Sequence, residues 1–356
     1  MNSNISSLCI AGDLFTDTKE DLSVIQEIFK KLTENNKLLV LNLEGSLRYK
    51  SSKIAKNKAI PLSLEPKLID LISKYNICVS IANNHSTDFG NISTIYTQEK
   101  LKKANIPFFG LFVNGDITET FCKVGNDKNS NPIYFVGCGW KNEQCIESTI
   151  ENYGCLGFKY EDLINVFNHI KNINKNSRIF LISHFGYEYE YWPLPEHVEI
   201  SRKLIDYGFE GVFGSHTHTI QEFEFFKNKP IYYGLGNLFF SSFNIKHSSL
   251  ETKGRIVNIA FSSNKIKCQN YLISQKMDNN FIRIYKDDLT KSSINKDIKE
   301  YSKSYKFIRI RKKNPRPILY PNSKLYNLLI YKLWKFLVEF LGYIKCRKLI
   351  KKLFSL

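Results

Sequence analysis

The stretch VSIANNHSTDFG at 79–90 sets two asparagines, a histidine and an aspartate directly against the end of an apolar run. Five other apolar runs end in a similar way: in GD (12–13), NLEG (42–45), SHFG (183–186), GSHTH (214–218) and GLGN (234–237). Four of the seven histidines, His85, His184, His216 and His218, fall at these ends. Loops are polar in general, but Asp, Glu, Asn and His at six run ends make a donor set. Carboxylates, neutral imidazoles and amide carbonyls together suit borderline divalent ions such as Mn, Fe or Zn. A carboxylate can bridge two ions, each imidazole gives one nitrogen, and an Asn oxygen adds a donor without further charge. Two ions about 3.5–4 Å apart can clamp a phosphoryl or carbonyl group and turn a water between them into a nucleophile.

These groups do chemistry together only if the chain brings the run ends to one place. The apolar runs at 8–12, 38–43, 77–82, 133–138, 179–183, 211–214, 230–236 and 255–261 read as strands. Between them, 18–35 carries Leu22, Ile25, Ile28, Phe29 and Leu32 at helical spacing, with Asp17 or Thr18 as the expected N-cap. Helices are also predicted over 65–75, where Pro66 lies near the first helical position, over 160–173 and over 196–207. Strands alternating with helices predict an α/β layered fold with much parallel pairing. In such sheets the carboxyl ends of the strands converge on one rim, which is where ligands bind.

Composition narrows the class. The 356 residues, 43% hydrophobic and 14% aromatic, are enough for one large α/β domain and an extension, and exclude a disordered chain. The formal charge of +17 is unevenly spread. Residues 1–275 hold 30 basic and 28 acidic residues, a net +2, whereas 276–356 hold 21 and 6, a net +15. The body is nearly neutral and the cationic character belongs to the C-terminal part. Eight cysteines without a Cys-x-x-Cys pair, several of them (Cys9, Cys78, Cys138) inside apolar runs, read as small buried hydrophobes in a reducing compartment. His169 and His247 read as local, solvated residues. The N-terminus has no basic region and an apolar core of only four residues, Leu8 to Ala11, so neither a signal peptide nor a membrane anchor is expected there.

The ordered blocks AGDLF (11–15), LNLEGSL (41–47), ANNHSTDFG (82–90), SHFGYEYEYWPLP (183–195), LIDYGFEGVFGSHTHTIQEFE (204–224) and IYYGLGNLFF (231–240) resemble the bacterial capsule-synthesis family typified by CapA/PgsA poly-γ-glutamate proteins. That family lies within the calcineurin-like metallophosphatase superfamily. The resemblance spans about 5–262 and implies a metallophosphatase-like four-layer sandwich, two mixed β-sheets flanked by helices. By position, it implies one ion held by Asp13, Glu44 and His218 and another by Glu44, Asn84, His184 and His216. His85 would serve the leaving group, oriented by Asp88. Asn83, Glu188, His197 and Asn237 fall at positions for substrate contact or support of the ligands. Three residues depart from the phosphoesterase pattern. Phe15 stands where a ligand histidine is usual, Glu44 replaces an Asp (a change this family shares), and His197 stands where Gln is common.

The resemblance implies a role in capsule or cell-surface polymer biosynthesis, with one or two divalent ions. Two readings stay open: a metal-dependent hydrolase of a phosphoester or amide bond, and a non-catalytic accessory protein that binds polymer during assembly or export. The expected partner is a cell-envelope polymer or its precursor. The expected division is a metallophosphatase-fold domain (1–270), a basic irregular linker (271–321) and a basic amphipathic helix (322–356). The last segment mixes Leu, Ile, Phe and Trp with Lys332, Lys335 and Glu339, too interrupted to span a bilayer but suited to an anionic membrane surface. The expected location is cytoplasmic, peripheral on the inner membrane face, and no nucleic-acid partner is expected because no recognised module accompanies the charge.

Overall fold

The computed structural model describes residues 5, 7–55, 61–112, 116–147, 153–241, 252–262, 265–276, 281–287, 294, 297–302 and 305. The expected helix at 322–356, most of the linker and His247 lie outside the described residues. In chain order the elements are β1 (Ser7–Phe15), α1 (Leu22–Leu32), β2 (Leu38–Leu43), α2 (Lys67–Ile72), β3 (Ile77–Ser80), α3 (Gly90–Lys103), β4 (Phe108–Phe109), β5 (Phe121–Asn126), β6 (Pro132–Gly139), α4 (Tyr160–Ile173), β7 (Arg178–His184), α5 (Pro195–Tyr207), β8 (Gly211–Ser215), β9 (Phe223–Phe226), β10 (Lys229–Tyr232), β11 (Asn237–Phe240), β12 (Thr252–Ser262), β13 (Lys265–Lys276) and β14 (Phe281–Lys286).

The strands form two mixed sheets. One has the order β14-β13-β12-β1-β2-β3-β4, with β11 pairing the far end of β1. The other runs β5-β6-β7-β8-β10-β9. In β1 and β2 successive side chains serve opposite faces, as the pleat requires. Leu8, Ile10, Leu38 and Val40 meet Phe135, Phe180, Ile182 and Phe213 of the other sheet. Cys9, Ala11, Leu39 and Leu41 turn the other way, toward Ile25, Ile28 and Phe29 of α1 and Leu68 and Ile72 of α2. On the outer face of the second sheet lie α4, through Leu163, Val166 and Ile170, and α5, through Val198, Leu204 and Ile205. The result is the expected sandwich of helices, sheet, sheet and helices. Both strand faces are covered, which is why the central strands read as unbroken apolar runs. Cys9, Cys78 and Cys138 are buried in these layers, and burial pushes the Cys9 thiol up to about 12.

Several expectations shift at their edges. The helix predicted from 18 begins at Leu22, with Asp21 rather than Asp17 or Thr18 at its cap position, and Asp21 accepts a hydrogen bond from Thr16 Oγ1 at 2.8 Å. The strand predicted over 230–236 stops at Tyr232. Tyr233 to Gly236 instead cross from one sheet to the other, where Asp13 N donates to Gly236 O (3.0 Å) and Leu235 N to Gly214 O (2.8 Å). A Cβ on Gly12 would collide with the carbonyl oxygen of Gly236, and one on Gly214 with that of Tyr233. This glycine-lined seam sets the carboxyl ends of β1 and β8 side by side.

β13 continues past position 270 to Lys276, and β14 adds an edge strand. Farther along, Ile294, Tyr301 and Tyr305 are buried against the α4–α5 layer. Arg202 donates to Ile294 O (2.8 Å), and Tyr301 donates its hydroxyl to Pro193 O (2.8 Å). Among the described residues no helix is long and apolar enough to cross a membrane.

Candidate metal centre

Parallel pairing builds the rim. Asp13 on β1 pairs Asn42 on β2, and on the other sheet His184 on β7 pairs Ser215 on β8. Glu44 follows directly, its amide donating to Leu14 O (3.0 Å). Asn84 and His85 lie on the turn after β3, and His216 and His218 on the turn after β8. Those two histidines adopt φ of 86° and 53°, in the left-handed region that non-glycine residues enter at a cost of order 1–3 kcal/mol. The strained turn is held from two sides. His216 N donates to Asp13 Oδ2 (3.0 Å), and Tyr189 N donates to Thr217 O (2.6 Å).

Among the described residues two groups of ligand-type atoms result, with Glu44 in both: Glu44, His184 and His216, and Asp13, Glu44 and His218. Within each, the atoms lie within 4.8 Å of one another. His184 Nε2 faces Asn84 Oδ1 at 2.9 Å and His216 Nδ1 at 3.0 Å, so two ring nitrogens and an amide oxygen converge on one point. His218 Nε2 lies 3.8 Å and His184 Nε2 3.9 Å from the same Glu44 oxygen. Buried carboxylates and imidazole nitrogens that point at each other fit a divalent cation, which would satisfy all of them at once. The donor set therefore suits divalent ions.

The remaining candidates take distinct places. His85 Nδ1 lies 2.6 Å from Asp88 Oδ2, while its Nε2 faces Glu44 Oε1 at 3.8 Å. Asp88 Oδ2 also accepts from Leu62 N (2.8 Å), which fixes the carboxylate. Asn83 ties strand ends together: its Nδ2 donates to Leu43 O (2.8 Å) and its Oδ1 accepts from His85 N (3.1 Å). Asn237 Oδ1 lies 2.8 Å from His218 Nδ1. Glu188 is half-buried on the loop after β7, whose Glu190 carbonyl accepts from Thr219 Oγ1 (2.7 Å) and Gln221 Nε2 (2.8 Å). His197 is set apart from these. It is 1% exposed in α5, edge-on to Trp140 (4.5 Å) and Phe185 (4.5 Å). Burial in that pack, with His216 adding to it, pushes its imidazole down to about 3. Phe15 is a core residue, its ring 5.0 Å from Phe240, which in turn contacts His218 (4.8 Å).

Three groups at the centre were not singled out from the sequence. Asn42 donates to Asp13 Oδ1 (2.7 Å), Ser215 Oγ lies 3.1 Å from His184 Nδ1, and Glu143 Oε2 lies 3.4 Å from His216 Nε2. Asn42 carried a signal, an amide in an otherwise wholly apolar strand. Glu143 carried none.

Residues 8–242 match the family described as "Bacterial capsule synthesis protein PGA_cap". The chain belongs to that family. Among curated proteins it is similar to "Capsule biosynthesis protein CapA" of Bacillus anthracis, 27% identical over 191 residues, 52% of this chain and 45% of that protein. It is similar also to "PGA biosynthesis protein CapA" of Bacillus subtilis (strain 168), 24% identical over 202 residues, 56% of this chain and 52% of that protein. The match thus spans about half the length of these relatives. Among solved structures, a novel phosphatase from Mycoplasma pneumoniae aligns with TM-score 0.47 and 11% identity, over 81% of this chain and 96% of that one. A 5'-nucleotidase precursor from Thermus thermophilus aligns with TM-score 0.46 and 11% identity, over 74% and 54%.

Proposed function

We propose that this capsule-synthesis family member is a divalent-metal-dependent hydrolase of cell-envelope polymer metabolism, acting on a phosphoester or amide bond of the polymer or its precursor. The observation that carries the reading is the sharing of Glu44 by two ligand groups, with a carboxylate-paired histidine facing the same oxygen. One ion, Mn, Fe or Zn, would be held by Glu44, Asn84, His184 and His216, and a second by Asp13, Glu44 and His218. When bound, the ions supply an activated water and polarise the phosphoryl or carbonyl oxygen.

The chain's own residues do the rest. Asp88 holds the Nδ1 side of His85, so that Nε2 faces the rim and can deliver a proton to the leaving group. Asn83 keeps the loop carrying Asn84 and His85 against β2, and Asn237 turns His218 so that Nε2 faces Glu44. Glu188, on the loop beside the rim, would contact substrate or support the ligands. His197 supports the wall behind His216 through packing.

A non-catalytic polymer-binding role is the second reading. It is favoured by Phe15 and Phe240, which put an aromatic wall on the Asp13 side in place of a further donor. The test is hydrolysis of phosphodiester and γ-glutamyl substrates by protein of defined metal content. Turnover that disappears in His85→Ala while the ion is retained supports the hydrolase. An intact, metal-loaded protein with no turnover on either bond type leaves the binding role. For the segment 322–356 we propose contact with anionic membrane, on the cytoplasmic side. Liposome flotation with and without that segment tests it, and equal flotation refutes it.

A further inference from the structure

Each histidine of the centre has one ring nitrogen at the convergence point and a second with partners of its own, and those partners differ. His184 turns Nδ1 to Ser215 Oγ (3.1 Å), a hydroxyl. His218 turns Nδ1 to Asn237 Oδ1 (2.8 Å), a neutral amide, with the ligand carboxylate oxygen Asp13 Oδ2 farther off at 3.7 Å. His216 Nε2 is buried without a hydrogen bond of its own among the described residues and lies 3.4 Å from Glu143 Oε2, a carboxylate at ion-pair distance. Since His216 Nδ1 points at His184 Nε2 (3.0 Å), its Nε2 is the nitrogen left to carry the proton when Nδ1 offers its lone pair.

Glu143 is placed for this by structure rather than by chance exposure. It ends the 3-10 turn Lys141–Glu143 that follows β6. That turn is tied to the strand end bearing His184, because Gly139 pairs His184 and Trp140 N donates to His184 O (3.0 Å). Glu143 N donates back to Trp140 O (3.2 Å), and Gln144 at φ 65° closes the turn. The Glu143 side chain is 19% exposed and the His216 ring is fully buried, so the pair sits where solvent screening is weak.

We propose that Glu143 is a positioning residue for His216. It accepts the Nε2 proton, fixes the tautomer that leaves Nδ1 for a divalent ion, and raises the donor strength of that nitrogen. This rests on the reading of His216 as a metal ligand. Outer partners of ligand histidines set metal affinity within a range of about 10–100-fold.

The test titrates Mn2+ and Zn2+ into the metal-free full-length protein, in wild type, Glu143→Ala, Glu143→Gln and His216→Ala, with thermal melting to establish that each variant folds. Glu143→Ala is expected to bind about 10–100-fold more weakly than wild type. Glu143→Gln, which keeps an acceptor oxygen, is expected to recover most of the loss, and His216→Ala to bind most weakly of all. A second readout is the ring 15N spectrum of His216, with a single Nε2–H form in wild type and a mixture in Glu143→Ala. Wild-type affinity in Glu143→Ala, beside weakened binding in His216→Ala, overturns the role of Glu143 and leaves the metal centre standing. Glu143→Gln as weak as Glu143→Ala with an unchanged His216 spectrum also overturns it. A wild-type protein that binds neither ion overturns the metal centre itself.

Discussion

The two ligand groups share one carboxylate and are otherwise built differently. On one side, His184, His216 and Asn84 bring two ring nitrogens and an amide oxygen to a common point beside Glu44. On the other, Asp13 and His218 meet Glu44 against a wall of Phe15 and Phe240, and Asp13 is already engaged by Asn42 (2.7 Å) and His216 N (3.0 Å). The first group spends its donors on the convergence point. The second spends part of its carboxylate on holding the rim together. The proposed ions should therefore differ in affinity, with the Asn84 side the tighter.

Removing the shared ligand tests both sides at once. Glu44→Gln is expected to take bound metal to background in elemental analysis; retention of one ion would show that Glu44 is not common to both. Next in size is the split between His216→Ala and Asp13→Ala. The former should weaken the tighter ion by more than the roughly 100-fold that bounds outer-partner effects. The latter should leave that ion in place and cost about 1–3 kcal/mol of stability by stranding the partners of the carboxylate. Equal metal loss in the two variants would remove the asymmetry.

Phe15→His approaches the comparison from the opposite direction. A donor beside Asp13 and His218 should raise ion stoichiometry toward two, at a cost of about 1–3 kcal/mol in metal-free protein for a buried imidazole lacking a partner. Unchanged stoichiometry would mean that the Asp13 side is limited by something other than ligand number.

The smallest effect concerns the wall behind His216. His197 titrates near 6.5 in an unfolded chain and at about 3 when folded, so the unfolded chain takes up the proton first. The neutral imidazole contributes its full stability above pH 6.5, and that stability is lost as pH falls, by at most about 1.4 kcal/mol per pH unit. His197→Leu should flatten stability between pH 6.5 and 4 in denaturant titrations; parallel profiles would sink the assignment.

What could be read in advance follows the same physics. α1, α4 and α5 were legible because each buries an apolar stripe. α3 was not, because its buried face is Ser93, Thr94, Thr97 and Gln98 with a single apolar residue, Leu101. It docks by hydrogen bonds, Leu47 N to Thr97 Oγ1 (2.8 Å) and Tyr49 N to Ser93 Oγ (3.1 Å), and such a face leaves no hydrophobic period. β13 and β14 form one edge of their sheet and carry mixed, partly exposed side chains, so alternation was weak there. In β11, Asn237 and three apolar residues were hidden behind the Gly-rich seam that ends the preceding strand. At the centre, histidines and carboxylates stood out because they interrupt apolar runs at the rim. Glu143 sits on an irregular turn among Lys, Asn and Gln, where a carboxylate is indistinguishable from a solvated one until the fold sets it beside His216.

The seam at Tyr233–Gly236 has a mechanical consequence. Asp13, Glu44 and Asn84 belong to one sheet and His184, His216 and His218 to the other, so an ion held by either group would be gripped by both sheets at once. It would act as a rivet through the sandwich. A rivet present at about 100 times its dissociation constant adds ~2.7 kcal/mol to the folded state. The melting temperature of the whole domain would then gauge occupancy of its rim.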